Sequence, residues 1–174
     1  MPLTANALPS QVPSYAIPFD SQAAFASAQV ITATGYLNNL NSGQIDLGAT
    51  SAPALGSVSS AGRLVSTWAL NITAMALLTN ETYQFSLLGS NDVAFGNGNV
   101  ELLAFHDFAT VTAGRFIPTL LGASPVNTPF TQPVPFTNLM QKIVYRYLRA
   151  RVTISGGAPT VTVTSWVTSL GISL

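Results

Sequence analysis

Ile143-Val-Tyr-Arg-Tyr-Leu-Arg-Ala-Arg-Val-Thr-Ile154, then Ser155-Gly-Gly-Ala-Pro159, then Thr160-Val-Thr-Val-Thr-Ser-Trp-Val167, is the stretch that decides the fold. Its first part alternates, with Val144, Leu148, Ala150, Val152 and Ile154 in one row and Tyr145, Tyr147, Arg149 and Arg151 in the other. Successive strand residues point to opposite faces, so the pattern predicts one half-buried strand over Ile143 to Ile154. The glycine pair and Pro159 make a turn, and the valine–threonine alternation beyond predicts a second strand. Together they read as a closing hairpin.

The same period recurs upstream. Trp68, Leu70, Ile72, Ala74 and Ala76 share one face of a strand over Trp68 to Leu77, and Tyr83, Phe85 and Leu87 one face of a strand over Thr82 to Leu88. The Thr79-Asn80-Glu81 link between them suits a hairpin. Shorter strands are expected over Ser27 to Thr34, Gln44 to Leu47, Val100 to Phe105 and Arg115 to Leu121, with Ala49 to Gly62 as a loop. Only Thr137 to Ile143 suggests a helical turn. Many short strands separated by Gly, Pro and Asn predict an all-β protein, two antiparallel sheets face to face in a β-sandwich. Two proline-rich segments stand apart from it. Met1 to Pro18 reads as an extended N-terminal arm, leaving residues 19–174 as the domain, and Pro118 to Pro135, with five prolines, as a long loop or second arm.

With 174 residues the chain suits one domain. Hydrophobic residues are 48% of it and charged residues only 7%, against a norm of about 25%. Mixed surface charge keeps copies of a free protein apart. A sandwich whose polar surface rests on Ser, Thr, Asn and Gln is expected to be covered by partners in its working state. Six basic residues balance six acidic ones without a basic run, which argues against a nucleic-acid partner. The start has neither the cationic nor the apolar region of a signal peptide, and no apolar run approaches the ~20 residues of a membrane helix.

Little in the chain favours catalysis or a cofactor. With no cysteine there is no thiolate metal site and no disulfide. The sole histidine, His106, is followed by Asp107, but strand neighbours point apart, so the pair does not orient an imidazole. The carboxylates Asp20, Asp46, Glu81, Asp92, Glu101 and Asp107 are scattered, and Asp92 before Gly96-Asn97-Gly98 reads as a turn cap rather than a calcium ligand. A non-enzymatic protein without metal or cofactor is expected. Lys142, Arg146, Arg149 and Arg151 hold four of the six positive charges. Tyr and Arg are enriched at interface hot spots, so Tyr145, Tyr147, Arg149 and Arg151 are the candidate interface. Arg146 falls in the apolar row by parity and is expected to pair with a carboxylate inside the sheet or at its end.

The segment Phe19-Asp-Ser-Gln-Ala-Ala-Phe-Ala-Ser-Ala-Gln-Val-Ile-Thr-Ala-Thr34, followed by Gln44-Ile-Asp-Leu-Gly48, resembles the opening of the Bbp16-like capsid cement proteins of tailed bacteriophages. Tyr83 to Asn91 with Asp92-Val-Ala-Phe95 resembles the family's central strand and turn, and Arg146-Tyr-Leu-Arg149 leading into Gly156-Gly157 its closing segment. The resemblance covers Phe19 to Leu174, patchily between Phe105 and Gln141; the arm and the length of the proline-rich stretch depart from it. It implies a jelly-roll-like sandwich on the outer surface of a phage head. There it would bind the major capsid protein, of HK97-type fold, and clamp neighbouring subunits as a homodimer, or alternatively a trimer. The resemblance brings no catalytic residue. A rival reading is a head-fibre or tail adhesin with a carbohydrate-binding sandwich, although Trp68 and Trp166 both fall on strands, where a core role is expected.

Overall fold

The computed structural model describes residues 21–47, 65–76, 80–96, 100–109 and 130–168. The arm Met1 to Pro18, the loop Ala49 to Gly62, the strand expected over Arg115 to Leu121 and most of the proline-rich stretch lie outside them. The strands are β1 (Ala24–Ile31), β2 (Gly35–Tyr36), β3 (Gln44–Asp46), β4 (Val65–Met75), β5 (Thr82–Ser90), β6 (Val100–Ala109), β7 (Phe130–Thr137), β8 (Leu139–Met140), β9 (Ile143–Val144), β10 (Tyr147–Ser155) and β11 (Val161–Thr168). One sheet has the order β1-β11-β4-β7; the other has the order β2-β10-β5-β6, with β3 also on β10. All pairings are antiparallel. The expected all-β sandwich is what forms.

The two sheets bury one core between them. Phe25, Trp68, Leu70, Ile72, Val161 and Val163 face it from the first sheet, and Tyr83, Phe85, Leu87, Phe108, Leu148 and Val152 from the second. These are the apolar rows of the alternating strands, because a sheet with one apolar face is stable when that face meets another. Polar contacts in the core tie neighbouring strands of the first sheet together and link the two sheets. The Trp68 indole N–H donates to Ser165 Oγ at 2.8 Å within the core. From the second sheet Tyr83 reaches across the core, its hydroxyl donating to the Ala76 carbonyl at 2.6 Å and accepting from the Thr160 N–H at 2.9 Å.

Both expected hairpins are absent. β4 and β5 lie in different sheets, as do β10 and β11, so each pair faces across the core instead of lying side by side. Both arrangements bury the apolar rows; with β5 already flanked by β10 and β6, and β4 by β11 and β7, neither strand has a free edge for the other. Thr137 to Ile143 is not helical. β8 and β9 form a small hairpin there, whose two central residues, Gln141 and Lys142, have φ of 49° and 71°. Two positive φ values are what a tight two-residue hairpin turn requires.

The end of the proline-rich stretch is a strand. β7 carries Pro133 and Pro135 in register with Ala69 and Thr67 of β4. The strand is tolerated because it is the outer one of its sheet and both prolines share the parity whose N–H would point away from β4. Val134 and Phe136, of the other parity, pack on the core. At the opposite edge β1 bulges at Ala28, whose φ is 47°. Asn39 occupies both backbone groups of Ser27 there, accepting from its N–H at 2.8 Å and donating to its carbonyl at 2.7 Å. Leu40 of the same loop covers Trp166, Ala69 and Ala24 on the outer face of the first sheet.

Gly89 of β5, bare of a side chain, leaves room for Leu103 and Tyr145. A Cβ there would lie 2.7 Å from Leu103 Cδ1 and 2.9 Å from Tyr145 Cβ. The leucine can turn aside, but a Cβ atom moves only with its backbone. Gly89→Ala is therefore expected to lower stability by about 1–3 kcal/mol in denaturant unfolding, whereas Gly157→Ala, with open space around the added atom, leaves the midpoint nearly unchanged.

Candidate functional site

The long strand expected over Ile143 to Ile154 breaks at Tyr145–Arg146, between β9 and β10. A break costs ladder hydrogen bonds, and each is replaced. The Tyr145 N–H donates to the Asn138 carbonyl at 2.8 Å, and the Tyr145 carbonyl accepts from Asn138 Nδ2 at 3.0 Å. The side chain of Asn91 does the rest, accepting from the Arg146 N–H and donating to the Val144 carbonyl, both at 3.0 Å. The Leu47 N–H donates to the Arg146 carbonyl at 3.0 Å.

The break separates the four candidate interface residues. Tyr147, Arg149 and Arg151 stand on the outer face of the second sheet, two apart along β10. Tyr145 does not join them. It is 8% exposed, packed over Gly89, and burial raises its hydroxyl pKa, with the Glu101 charge adding to the shift. Parity counted through an unbroken strand misplaces it. Arg146 meets the expectation of a carboxylate at the sheet end, with Nε on Asp46 Oδ1 and a terminal nitrogen on Asp46 Oδ2, both at 2.7 Å. The Asp46 hydrogen bonds, foremost, raise the Arg146 pKa. Its guanidinium also lies 4.8 Å from the Tyr147 ring centre.

Arg149 is held differently. Its guanidinium lies against two rings, 4.7 Å from the centre of Phe95 and 5.4 Å from that of Tyr36. Phe95 is aimed there by the turn after β5. Asp92 Oδ1 accepts from the Ala94 N–H at 2.9 Å and Oδ2 from the Gly96 N–H at 3.0 Å, which holds Phe95 at a φ of 53°. Asp92 thus caps a turn, as expected. Segments far apart in sequence meet here: Gln44–Asp46, Asn91–Phe95 and Arg146–Arg149.

The registers give the face as a grid. Across the strands run Asp46, Tyr147, Ser90 and Val100; then Gln44, Arg149, Leu88 and Leu102; then Tyr36, Arg151, Ser86 and Phe105. An arginine–tyrosine column on β10 is thus separated by β5 from an apolar column on β6. Those apolar side chains are open to solvent, Val100 at 38%, Leu102 at 47% and Phe105 at 44%. The sequence reading missed them and Phe95. Their signal was an apolar residue on both parities of Val100 to Phe105, which a strand with one buried face does not need.

His106 is half-buried, its ring 4.5 Å from that of Phe108, edge to face. Both tryptophans are buried. Among the described residues no group of three or more His, Asp or Glu is gathered to hold a metal ion. No protein-family model matches the chain, and no curated protein is significantly similar to it.

Two pH effects are expected. The Ala94 and then the Gly96 N–H groups hold the Asp92 carboxyl below its usual pKa. Its contribution is present above the ordinary carboxylate pKa and is lost as pH falls through the lowered folded value. Asp92→Ala is expected to remove it at all pH, seen as faster amide exchange at Ala94 and Gly96. Burial lowers the His106 pKa below 6.5. The unfolded chain then takes up a proton more readily, so stability falls as pH drops from about 7 to about 5. His106→Phe, which keeps the ring contact, is expected to give a flatter stability profile over that range.

Proposed function

We propose that this chain is a non-enzymatic capsid cement protein, bound to the outer surface of a tailed-phage head and bridging neighbouring major capsid subunits. The observation that carries it is the outer face of the second sheet. Arginines, tyrosines and exposed apolar residues share that face, in a chain with only 7% charged residues. Aromatic and arginine side chains beside solvent-exposed apolar groups have the composition of a protein-binding patch. The segments that build its centre are among those on which the resemblance to the Bbp16-like cement proteins rests. The jelly-roll part of the reading is supported by strand order. Taking the eight strands β1, β3, β4, β5, β6, β7, β10 and β11, only β5 and β6 are both consecutive and paired; each other step in this series crosses between the sheets, giving β1-β11-β4-β7 over β3-β10-β5-β6.

The mechanism is mechanical. Each protomer holds a capsid subunit through this face, and association of two or three copies ties those subunits together. Linked weak contacts then resist the opening of a joint far better than any one alone. A carbohydrate-binding adhesin draws no support from the tryptophans, since both are buried.

Phage heads lacking the protein, mixed with the purified chain, test the proposal. The expected result is binding to the head exterior and higher heat resistance. Phe105→Asp on the outer face should abolish binding without lowering the unfolding temperature, whereas Val30→Asp, exposed on the other sheet, should not. A soluble monomer with no affinity for heads would overturn the reading.

A further inference from the structure

Arg149 carries a cost that the fold leaves uncompensated. Its Nε is buried with no hydrogen-bond acceptor. Burying a guanidinium nitrogen away from water without an acceptor is unfavourable by more than a neutral donor would be. The rings of Tyr36 and Phe95 offset part of this through their faces, but a ring face is no substitute for an in-plane acceptor. With Nε shielded, a partner carboxylate would meet this planar cation at its two terminal nitrogens, which can donate two parallel N–H bonds.

The chain's own described carboxylates are committed elsewhere. Asp46 is held by Arg146, and Asp92 by the Ala94 and Gly96 N–H groups. Glu81 is buried, Asp107 is already engaged within the chain, and Glu101 stands in the inward row opposite Gly89. A second copy laid on the same face would bring arginines without free acids. Among the described residues none of these carboxylates is placed on Arg149, which favours a different protein as the source.

We propose that Arg149 is the anchor for an aspartate or glutamate of the partner protein, and that Leu88, Leu102 and Phe105 receive apolar side chains beside it. Strands lie about 4.8 Å apart, so the β6 column is about 10 Å from Arg149. The partner segment therefore offers a carboxylate with an apolar side chain at about that distance. The inference rests on reading this face as a protein-binding surface and adds the chemistry of what it binds. Phosphate of a nucleic acid is disfavoured by the apolar column and by a net charge of zero.

Two measurements decide it. In the first, the Arg149 Nε–H resonance is followed while acetyl-Leu-Glu-Leu-Leu-amide, or the same peptide with Gln for Glu, is added. A saturable shift with the acidic peptide alone supports the anchor. Equal shifts, no shift, or a shift with protein concentration alone, as a second copy would cause, overturn it. In the second, Arg149→Met, which keeps the stem against the rings, is compared with wild type on phage heads at equal thermal stability. A loss of at least about tenfold in affinity supports the anchor, and unchanged binding overturns it. Arg149→Lys serves if the methionine variant fails to fold. Should the wild type not bind heads at all, the cement reading fails and the peptide titration still judges Arg149.

Discussion

The side-chain amide of Asn91 closes a gap that the backbone of the second sheet does not close for itself. Where β9 gives way to β10 the Arg146 N–H and the Val144 carbonyl lose their ladder partners, and a single amide supplies both. Unpaired backbone groups at a half-buried site are costly enough that such a break persists only when each is answered. The break turns Tyr145 inward over Gly89, releases Arg146 to Asp46, and starts β10 with Tyr147, Arg149 and Arg151 outward. Asn91 also adjoins Asp92, whose cap swings Phe95 over Arg149. One residue at the end of β5 thereby couples the strand break to the aromatic contact of Arg149.

The strands were legible because alternation is a local property. β5, β10 and β11 bury the row that their sequence marks as apolar, and β4 does so as far as Ile72, beyond which a register slip puts Met75 rather than Ala74 in the core. Their partners were not legible. Consecutive strands with one apolar row satisfy the pattern equally well as a hairpin or as opposite walls of a core, and the choice depends on strands far away in sequence. Proline misled in a similar way. Pro133 and Pro135 weaken a strand between two neighbours but not one at the sheet's border, and nothing local announces which position a strand will take.

The face was partly legible for the same reason. Tyr147, Arg149 and Arg151 follow from parity within one strand, and the need of Arg146 for a carboxylate follows from charge. That Asp46 would supply it depends on β3 lying on β10, a pairing between residues 100 positions apart in sequence. Tyr145 went astray because a break shifts parity, and its signal, the asparagines at 91 and 138 that satisfy it, lies outside the strand. Phe95 over Arg149 needs both the Asp92 cap and the strand order, so no window of sequence contains it.

The two borders of the first sheet suggest where copies of this protein do not meet. An open strand edge is a template on which further chains can add without limit. Here one border offers prolines with no N–H, and on the other Asn39 already occupies the outward groups of Ser27 beside a bulge. Growth by strand addition is blunted on both sides. In a chain with so little charge to keep its copies apart, this sheet thus carries its protection against strand addition in its backbone borders rather than in charged side chains.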